Sequence, residues 1–378
     1  MTAIASWEKS LRQRLSMLRE GTHRVAYFAP KPDSGSFRYR CYNTTQALNT
    51  HSAKVSASYF YLSDGAHIAD LCRHADSLVV FRTPYDTDVH RVITQFVRAG
   101  KKVYFDIDDL VFDVAFAPLV TSNLNYKLWG KDIDQWFAFI ANIGASMKLS
   151  NHVITTNSYI RDRAAEFSGL PVSVIPNFLN EEQLEASEKA RAHSHKKTDS
   201  EGLSLGYFSG SHSHAKDFAV AAPAIAGFLA SSPHSRLTLV GHLDLPAELE
   251  PVRNQVIRQG FLSIVELQSA VASVDLNLVP LQLSPFTFSK SELKYFEAAA
   301  VDTVTMASPT PLFSAVINDG HNGFLAPAGQ WGEKLREFDN LSRQSRNEIA
   351  HSARHHALTT YSPAAVSKQL ERLFLESN

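Results

Sequence analysis

The sequence predicts an α/β protein built from two doubly wound parallel-sheet domains that face each other across a cleft. Three observations predict it. Short apolar runs of strand length alternate with helix-length stretches along most of the chain. The alternation is interrupted by a polar, charged segment, residues 184–202, LEASEKARAHSHKKTDSEG, and then restarts with the same rhythm. The bulk composition suits two such units, with 378 residues, 44% of them hydrophobic, and a formal net charge of −1.

Taken in order, residues 6–20 read as an amphipathic helix. Trp7, Leu11, Leu15 and Leu18 form one stripe, with Lys9, Arg12, Arg14 and Arg19 elsewhere. A basic amphipathic helix can lie on a membrane surface. The basic excess here is small, so packing on the next domain is the expectation, with peripheral membrane association as the alternative. Arg24–Ala29 reads as a strand, followed by a loop holding Pro30, Pro32 and Gly35, then a helix near 38–49. Ser77–Phe81 is a strand, 87–99 a helix, and Lys102–Asp106 a strand. His152–Thr156 and Val172–Pro176 are two more strands. After the polar segment come strand Leu203–Phe208, helix 216–230, and strands Leu237–Gly241 and Asp275–Pro280. A helix around 290–300, strand Val304–Ala307 and a tail helix over 364–375 complete the pattern. The predicted domains are 1–180 and 203–359, with 181–202 as linker. Ligands of such sheets sit at the carboxyl ends of the strands, which makes the cleft the expected site.

Composition narrows the function. The balanced charge argues against a general nucleic-acid binder. Cys41 and Cys72 are the only cysteines. They make neither a disulfide framework nor a four-ligand zinc site, which favours a reducing compartment. No apolar run is long enough to span a bilayer, and MTAIASWEKSLRQRL lacks the apolar core of a signal peptide. A cytoplasmic location is expected.

The candidate chemistry centres on residues 288–313, FSKSELKYFEAAAVDTVTMASPTPLF. On a helix, Lys290, Lys294 and Glu297 fall at i, i+4 and i+7 and share a face. Two lysines one turn apart repel each other, so an anion against that face is expected. Leu293, Phe296 and Ala300 would form the core-facing stripe. Glu297 has two acceptor oxygens suited to a ribose diol; the bland alternative is a weak surface pair with Lys294. Backbone N–H groups of Lys290, Ser291 and Glu292 are further candidates for an anion.

Other segments offer partners. SGSHSH, residues 209–214, is a small-residue turn after a strand, where a backbone can approach phosphate closely. Its two histidines lack an evident third ligand, so no metal is expected. In PDSGSFRYR, residues 32–40, the candidates are Gly35, Arg38 and Arg40, against an ordinary surface loop. FDIDDLVFD, residues 105–113, ends a strand with Asp106, Asp108, Asp109 and Asp113. It looks like the first motif of haloacid-dehalogenase-type phosphatases, although Leu110 stands where Thr is expected. Asp108 and Asp109 suit sugar hydroxyls; a structural role for Asp106 is as well supported. Trp129, Trp136, Phe137 and Phe139 read chiefly as core, and His351, His355 and His356 as a solvated helix face.

Several of these strings together resemble a known family. NLVPL (277–281), KSELKYFEAAAVDTVTMAS (290–308) and AVINDGHNGFL (315–325) are similar to the C-terminal half of retaining nucleotide-sugar glycosyltransferases of the GT-B fold, the large group 1 family. Glu297 matches the second Glu of that family's paired-glutamate motif. PVSVIPN (171–177) resembles its interdomain hinge, and GYFSGSHSHAKDF (206–218) the start of its nucleotide-binding domain. The resemblance implies same-face sugar transfer from a nucleotide-diphosphate sugar held on the C-terminal domain. The acceptor, a glycan or lipid-linked saccharide, would sit on the N-terminal domain, and bacterial surface polysaccharide synthesis is the implied context. No metal or other cofactor is implied, and the leaving diphosphate helps to take the acceptor proton. The resemblance also implies that the final helix, about 360–378, completes the N-terminal domain, and that the loop around Gly35, Arg38 and Arg40 contacts the donor diphosphate.

The departures are specific. Ser289 stands at the family's first Glu, and Ser209 and His214 near its diphosphate-gripping Arg and Lys. Asp302 stands where Gly is usual. Lys290, Lys294, His214 and Arg38 or Arg40 are the available replacements. Two alternatives stay open: a phosphatase using Asp106 and Asp108, and a nucleotide-sugar-binding protein without catalysis. Donor base, donor sugar and oligomeric state are left open.

Overall fold

The structure is a computed structural model that describes residues 7–18, 21–33, 35–123, 128–193, 202–209, 215–241 and 243–376. Two parallel six-stranded sheets organise it. The first contains β1 (His23–Ala29), β2 (Val55–Tyr61), β3 (Ser77–Phe81), β4 (Lys102–Ile107), β5 (His152–Thr155) and β6 (Val172–Val174), in the order β2-β1-β3-β4-β5-β6. The second contains β7 (Ser204–Ser209), β8 (Arg236–Gly241), β9 (Val256–Gln259), β10 (Leu276–Val279), β11 (Val304–Ala307) and β12 (Phe324–Leu325), in the order β12-β11-β10-β7-β8-β9. Strand order reverses between β1 and β3, and again between β7 and β10. Each sheet therefore opens a crevice beyond its central strands.

The central strands β1, β3, β4, β7 and β10 are buried on both faces, as helix-covered parallel sheets require. Alternation sends Ala26 and Phe28 of β1 with Leu78 and Val80 of β3 against helix Thr87–Arg98, through Val92, Ile93 and Phe96. Val25 and Tyr27, with Val79 and Tyr104, face Ala47, Leu48, Val366, Leu370 and Phe374. The last helix, Pro363–Glu376, thus packs on helix Asn43–His51 beside the first sheet. Tyr361 at the crossover accepts a backbone hydrogen bond from Leu179 N at 3.0 Å.

Several expectations are corrected. The amphipathic N-terminal helix is Leu11–Met17, started by a Ser10 capping box. Leu18 is fully buried and Leu11 and Leu15 pack on the cluster that holds Phe28 and Phe60, so that part of the stripe packs on this chain as expected. Arg14, expected on the polar side, turns inward and grips Asp64 at 2.6 and 3.0 Å. Helix 38–49 begins as a π-helical turn, Arg38–Tyr42, before Asn43–His51 continues it. The expected helix 216–230 is two pieces, Ala215–Phe218 and Ala222–Ser231, the second starting with Pro223 in its first turn. The segment expected as linker is helical over Glu181–His193 and packs on helix Ile264–Ala272.

Lys290 lies outside the helix expected to carry it. Pro285–Phe288 forms its own short helix with a Ser284 capping box. The Ser289 hydroxyl donates to Phe286 O at 2.7 Å and stops it. The next helix runs only over Leu293–Ala299. The i, i+4 alignment of Lys290 with Lys294 therefore does not exist.

Candidate functional site

The carboxyl ends of the two sheets enclose a cavity of about 440 Å³. One wall is the loop and π-turn after β1, with Gly35, Ser36, Arg38 and Tyr39, together with Asp108 after β4. The opposite wall is Ser209 at the end of β7, Asn277 of β10, and Leu293, Lys294 and Glu297 of one helix. A third side is apolar, formed by Phe208, Val240, Leu262, Leu267 and Val271, with Phe261 59% exposed at its rim.

Asn277 fixes the helix that carries the two charged groups. Its amide donates to Lys294 O at 2.8 Å and to Thr305 Oγ1 at 3.1 Å. Burial pushes the Lys294 ammonium down to about 8, against the pull of Asp217 and Glu297. Its Nζ lies 4.8 Å from the Tyr207 ring centroid. Among the described residues it makes no ion pair, which leaves a cation lining the cavity. Glu297 Oε1 accepts from Tyr39 Oη and, at 3.0 Å, from Gln183 Nε2. One carboxylate oxygen is thus held by the first domain and the helix Glu181–His193. Arg38 Cζ stacks 3.9 Å from the Tyr39 ring centroid, and its Nη1 reaches Gln183 Oε1 at 3.4 Å.

The opposing carboxylates are paired. Asp108 accepts from Arg82 Nη1 at 3.0 Å. Asp109 accepts from Lys290 Nζ at 3.1 Å and from Ser289 Oγ at 3.0 Å, so this contact crosses the cleft between the domains. Burial works against ionisation of Asp109, yet Lys290 and Arg82 hold its carboxyl below the ordinary range. Arg82 immediately follows β3 at the strand-order reversal with φ +41°, a left-handed conformation unusual for a side-chain-bearing residue.

The structure thus brings Asp108, Glu297, Lys294, Ser209, Gly35 and Arg38 to one cavity, with Asp109, Ser289 and Lys290 beside it. Ser291 Oγ turns to Glu292 Oε2 at 3.3 Å, and the Lys290 N–H is already given to Thr287 O. Arg40 does not reach the cleft: it is 1% exposed and bidentate to Asp106 at 2.8 and 3.0 Å, with a further bond to Ile175 O. Burial pushes the Asp106 carboxyl up to about 6, and the facing guanidinium keeps it ionised at neutral pH. A buried, doubly held Asp106 cannot attack phosphorus, which removes the phosphatase alternative. Gly210 and His214 lie outside the described residues.

Arg82, Tyr39, Gln183 and the apolar wall escape the sequence reading. Arg82 carries one usable signal, a lone charge immediately after the apolar strand SLVVF. The apolar wall was hidden because it gathers single residues from β7, β8 and the helix Ile264–Ala272, which no local pattern brings together.

Comparison with known proteins agrees with this fold. Residues 204–340 match the model of the family described as glycosyl transferases group 1. No curated protein sequence matches the chain. Among solved structures, HepE of Anabaena in complex with UDP and glucose is 17% identical, with a TM-score of 0.58 over 94% of this chain and 100% of that one. Sucrose-phosphate synthase from Thermosynechococcus elongatus is 13% identical, with a TM-score of 0.62 over 93% of this chain and 98% of its own. WaaG, a glycosyltransferase involved in lipopolysaccharide biosynthesis, is 14% identical, with a TM-score of 0.55 over 93% and 99%. The fold is that of the GT-B glycosyltransferases, and the resemblance read from the sequence stands.

Proposed function

We propose that this chain, with a group 1 glycosyltransferase match over residues 204–340 set in a GT-B frame, is a retaining glycosyltransferase. It would move a sugar from a nucleotide-diphosphate sugar to a glycan or lipid-linked acceptor. The observation that carries this reading is the pairing of Lys294 and Glu297 on one cavity wall with Asp108 opposite. A cation in a partly desolvated cavity suits the diphosphate, whose charge grows as the glycosidic bond breaks. The remaining acceptor capacity of Glu297 suits a ribose diol. The apolar side suits the flat faces of a nucleobase.

The carboxylates across the cleft suit the hydroxyls of the sugars. Both are already ion-paired, Asp108 with Arg82 and Asp109 with Lys290. A carboxylate held by a cation is a weakened base. This supports a same-face reaction in which the departing diphosphate takes the acceptor proton and the protein positions and stabilises. Surface-polysaccharide synthesis is the proposed setting, in keeping with WaaG, a structure of the same fold. Cytoplasmic placement and independence from metal belong to the same proposal.

The test is incubation with UDP-, GDP-, ADP-, CMP- and dTDP-sugars and alkyl glycoside acceptors, following release of the nucleotide, with the anomer of the newly formed glycoside read by NMR. Release by the wild type, reduced about 100-fold or more in Lys294→Gln, supports transfer chemistry; loss of one preorganised charge contact of this kind costs about 10²–10³ in rate. Nucleotide binding without release would leave a binding protein. An inverted anomer would end the retaining assignment.

A further inference from the structure

The contact between Asp109 and Lys290 has two unusual properties. It joins the two domains, since Asp109 follows β4 of the first sheet and Lys290 precedes the helix Leu293–Ala299 of the second. It also neutralises two charges that the proposed reaction needs separately. The pair is partly shielded, with side-chain exposures of 24% for Lys290 and 20% for Asp109. Its geometry is fixed from both sides. Asn157 Nδ2 donates to Ser289 O at 3.3 Å and to Lys290 O at 3.4 Å, tying that segment to the first domain. Leu110 N donates to Asp109 Oδ1 at 2.9 Å, and the single Ser289 hydroxyl proton is shared between that oxygen at 3.0 Å and Phe286 O at 2.7 Å. Four charges thus meet at the cleft, Asp108 and Asp109 against Arg82 and Lys290, and they cancel.

We infer that Asp109 changes partners during the reaction cycle and so imposes an order of binding: the nucleotide diphosphate takes Lys290, and the released carboxylate then receives a hydroxyl of the acceptor. This rests on the function proposed above. The reasoning is charge balance. A diphosphate entering the cavity brings at least two negative charges to a cluster that has no net charge to spare. Asp109 competes with it for Lys290, and each anion that wins displaces the other. Once Lys290 turns to the diphosphate, Asp109 keeps its bonds from Leu110 N and Ser289 Oγ, both to Oδ1, and Oδ2 loses its donor. An acceptor hydroxyl restores that donor. Asp109 is therefore a negative determinant for the nucleotide and a positive one for the acceptor, with Ser289 as the positioning residue beneath it.

The test is a double-mutant cycle on nucleotide affinity, using UDP, GDP, ADP, CMP and dTDP as probes in calorimetry at low salt. In the tightest-binding probe, Asp109→Asn is expected to tighten binding about five- to tenfold, because a competitor is removed, and Lys290→Gln to weaken it by a similar factor; coupling between sites is typically about 5- to 150-fold. In the Lys290→Gln background, Asp109→Asn should have no further effect. Steady-state kinetics of Asp109→Asn should show a raised acceptor KM while the donor KM falls. Product inhibition by the nucleotide should be competitive only against the donor. Asp109→Asn binding that is unchanged or weaker, or an effect that persists without Lys290, overturns the exchange while the function stands. A wild type that binds none of the probes overturns both. Asparagine keeps the bond from Ser289, and an unchanged Tm confirms that the variant folds.

Discussion

Lys294 combines three properties that one lysine seldom has together. It lines a cavity, it is free of an ion pair among the described residues, and burial lowers its ammonium to about 8. The consequence for pH has a definite sign. A diphosphate binds the protonated form, and with a pKa near 8 about nine-tenths of the side chains are protonated at pH 7 and about one-tenth at pH 9. Affinity for the nucleotide should be nearly flat below pH 7 and decline as pH rises through 8, by up to about tenfold per unit. Calorimetry from pH 6.5 to 9.5 measures this. Lys294→Gln should bind weakly at every pH and show no such inflection. An inflection that survives the substitution assigns the proton to another group. Asp302 illustrates another case, a departure from the resembled family that the backbone accommodates while the side chain accepts from Arg191 Nη1 at 3.3 Å. Its φ of +56° is the left-handed conformation that makes Gly usual there, and aspartate is among the residues that tolerate it.

At the scale of elements, the cavity depends on how closely the ends of β7 and β8 approach. Gly241 has φ +95°, and a Cβ there would lie 1.9 Å from Ser209 O. Gly241→Ala should cost about 1–3 kcal/mol for backbone strain alone, and more for the displaced β7 terminus, with nucleotide binding weakened at the same time. Gly227→Ala is the control of opposite sign, since a Cβ on that helix meets nothing within 4 Å. It should be neutral or stabilise by about 0.5–1 kcal/mol. Thermal unfolding with and without nucleotide checks both. Elements with long apolar runs were legible in the sequence, as in SLVVF and KVYFDI. Val55–Tyr61 was missed because Ser56, Ala57 and Ser58 dilute the apolar run, although all seven residues are buried. The two-residue β12 is too short to leave any pattern. Lys294 and Glu297 were legible as one helix face. Lys290 was misplaced because the Ser289 hydroxyl bond that ends the preceding helix has no signature in periodicity. The contacts of Arg40 with Asp106 and of Tyr39 with Glu297 span 66 and 258 positions, and nothing local in the sequence announces them.

At the scale of the molecule, the two sheets are joined by contacts that converge on the cleft. Tyr39 and Gln183 hold Glu297, Asp109 holds Lys290 and Ser289, and Asn157 holds the carbonyls between them. The final helix returns to the first sheet and Tyr361 caps the crossover. The candidate site and the contacts between the domains therefore share the same side chains. The measurement that tests the central claim most directly is a crystal structure of the chain with the nucleoside diphosphate that binds it tightest. The account predicts the diphosphate beside Lys294 Nζ and the end of β7, the ribose hydroxyls against Glu297, and the base on the side formed by Val240, Leu267 and Val271. A nucleotide bound outside this cavity, or one in the cavity with its phosphates turned away from Lys294, would contradict it.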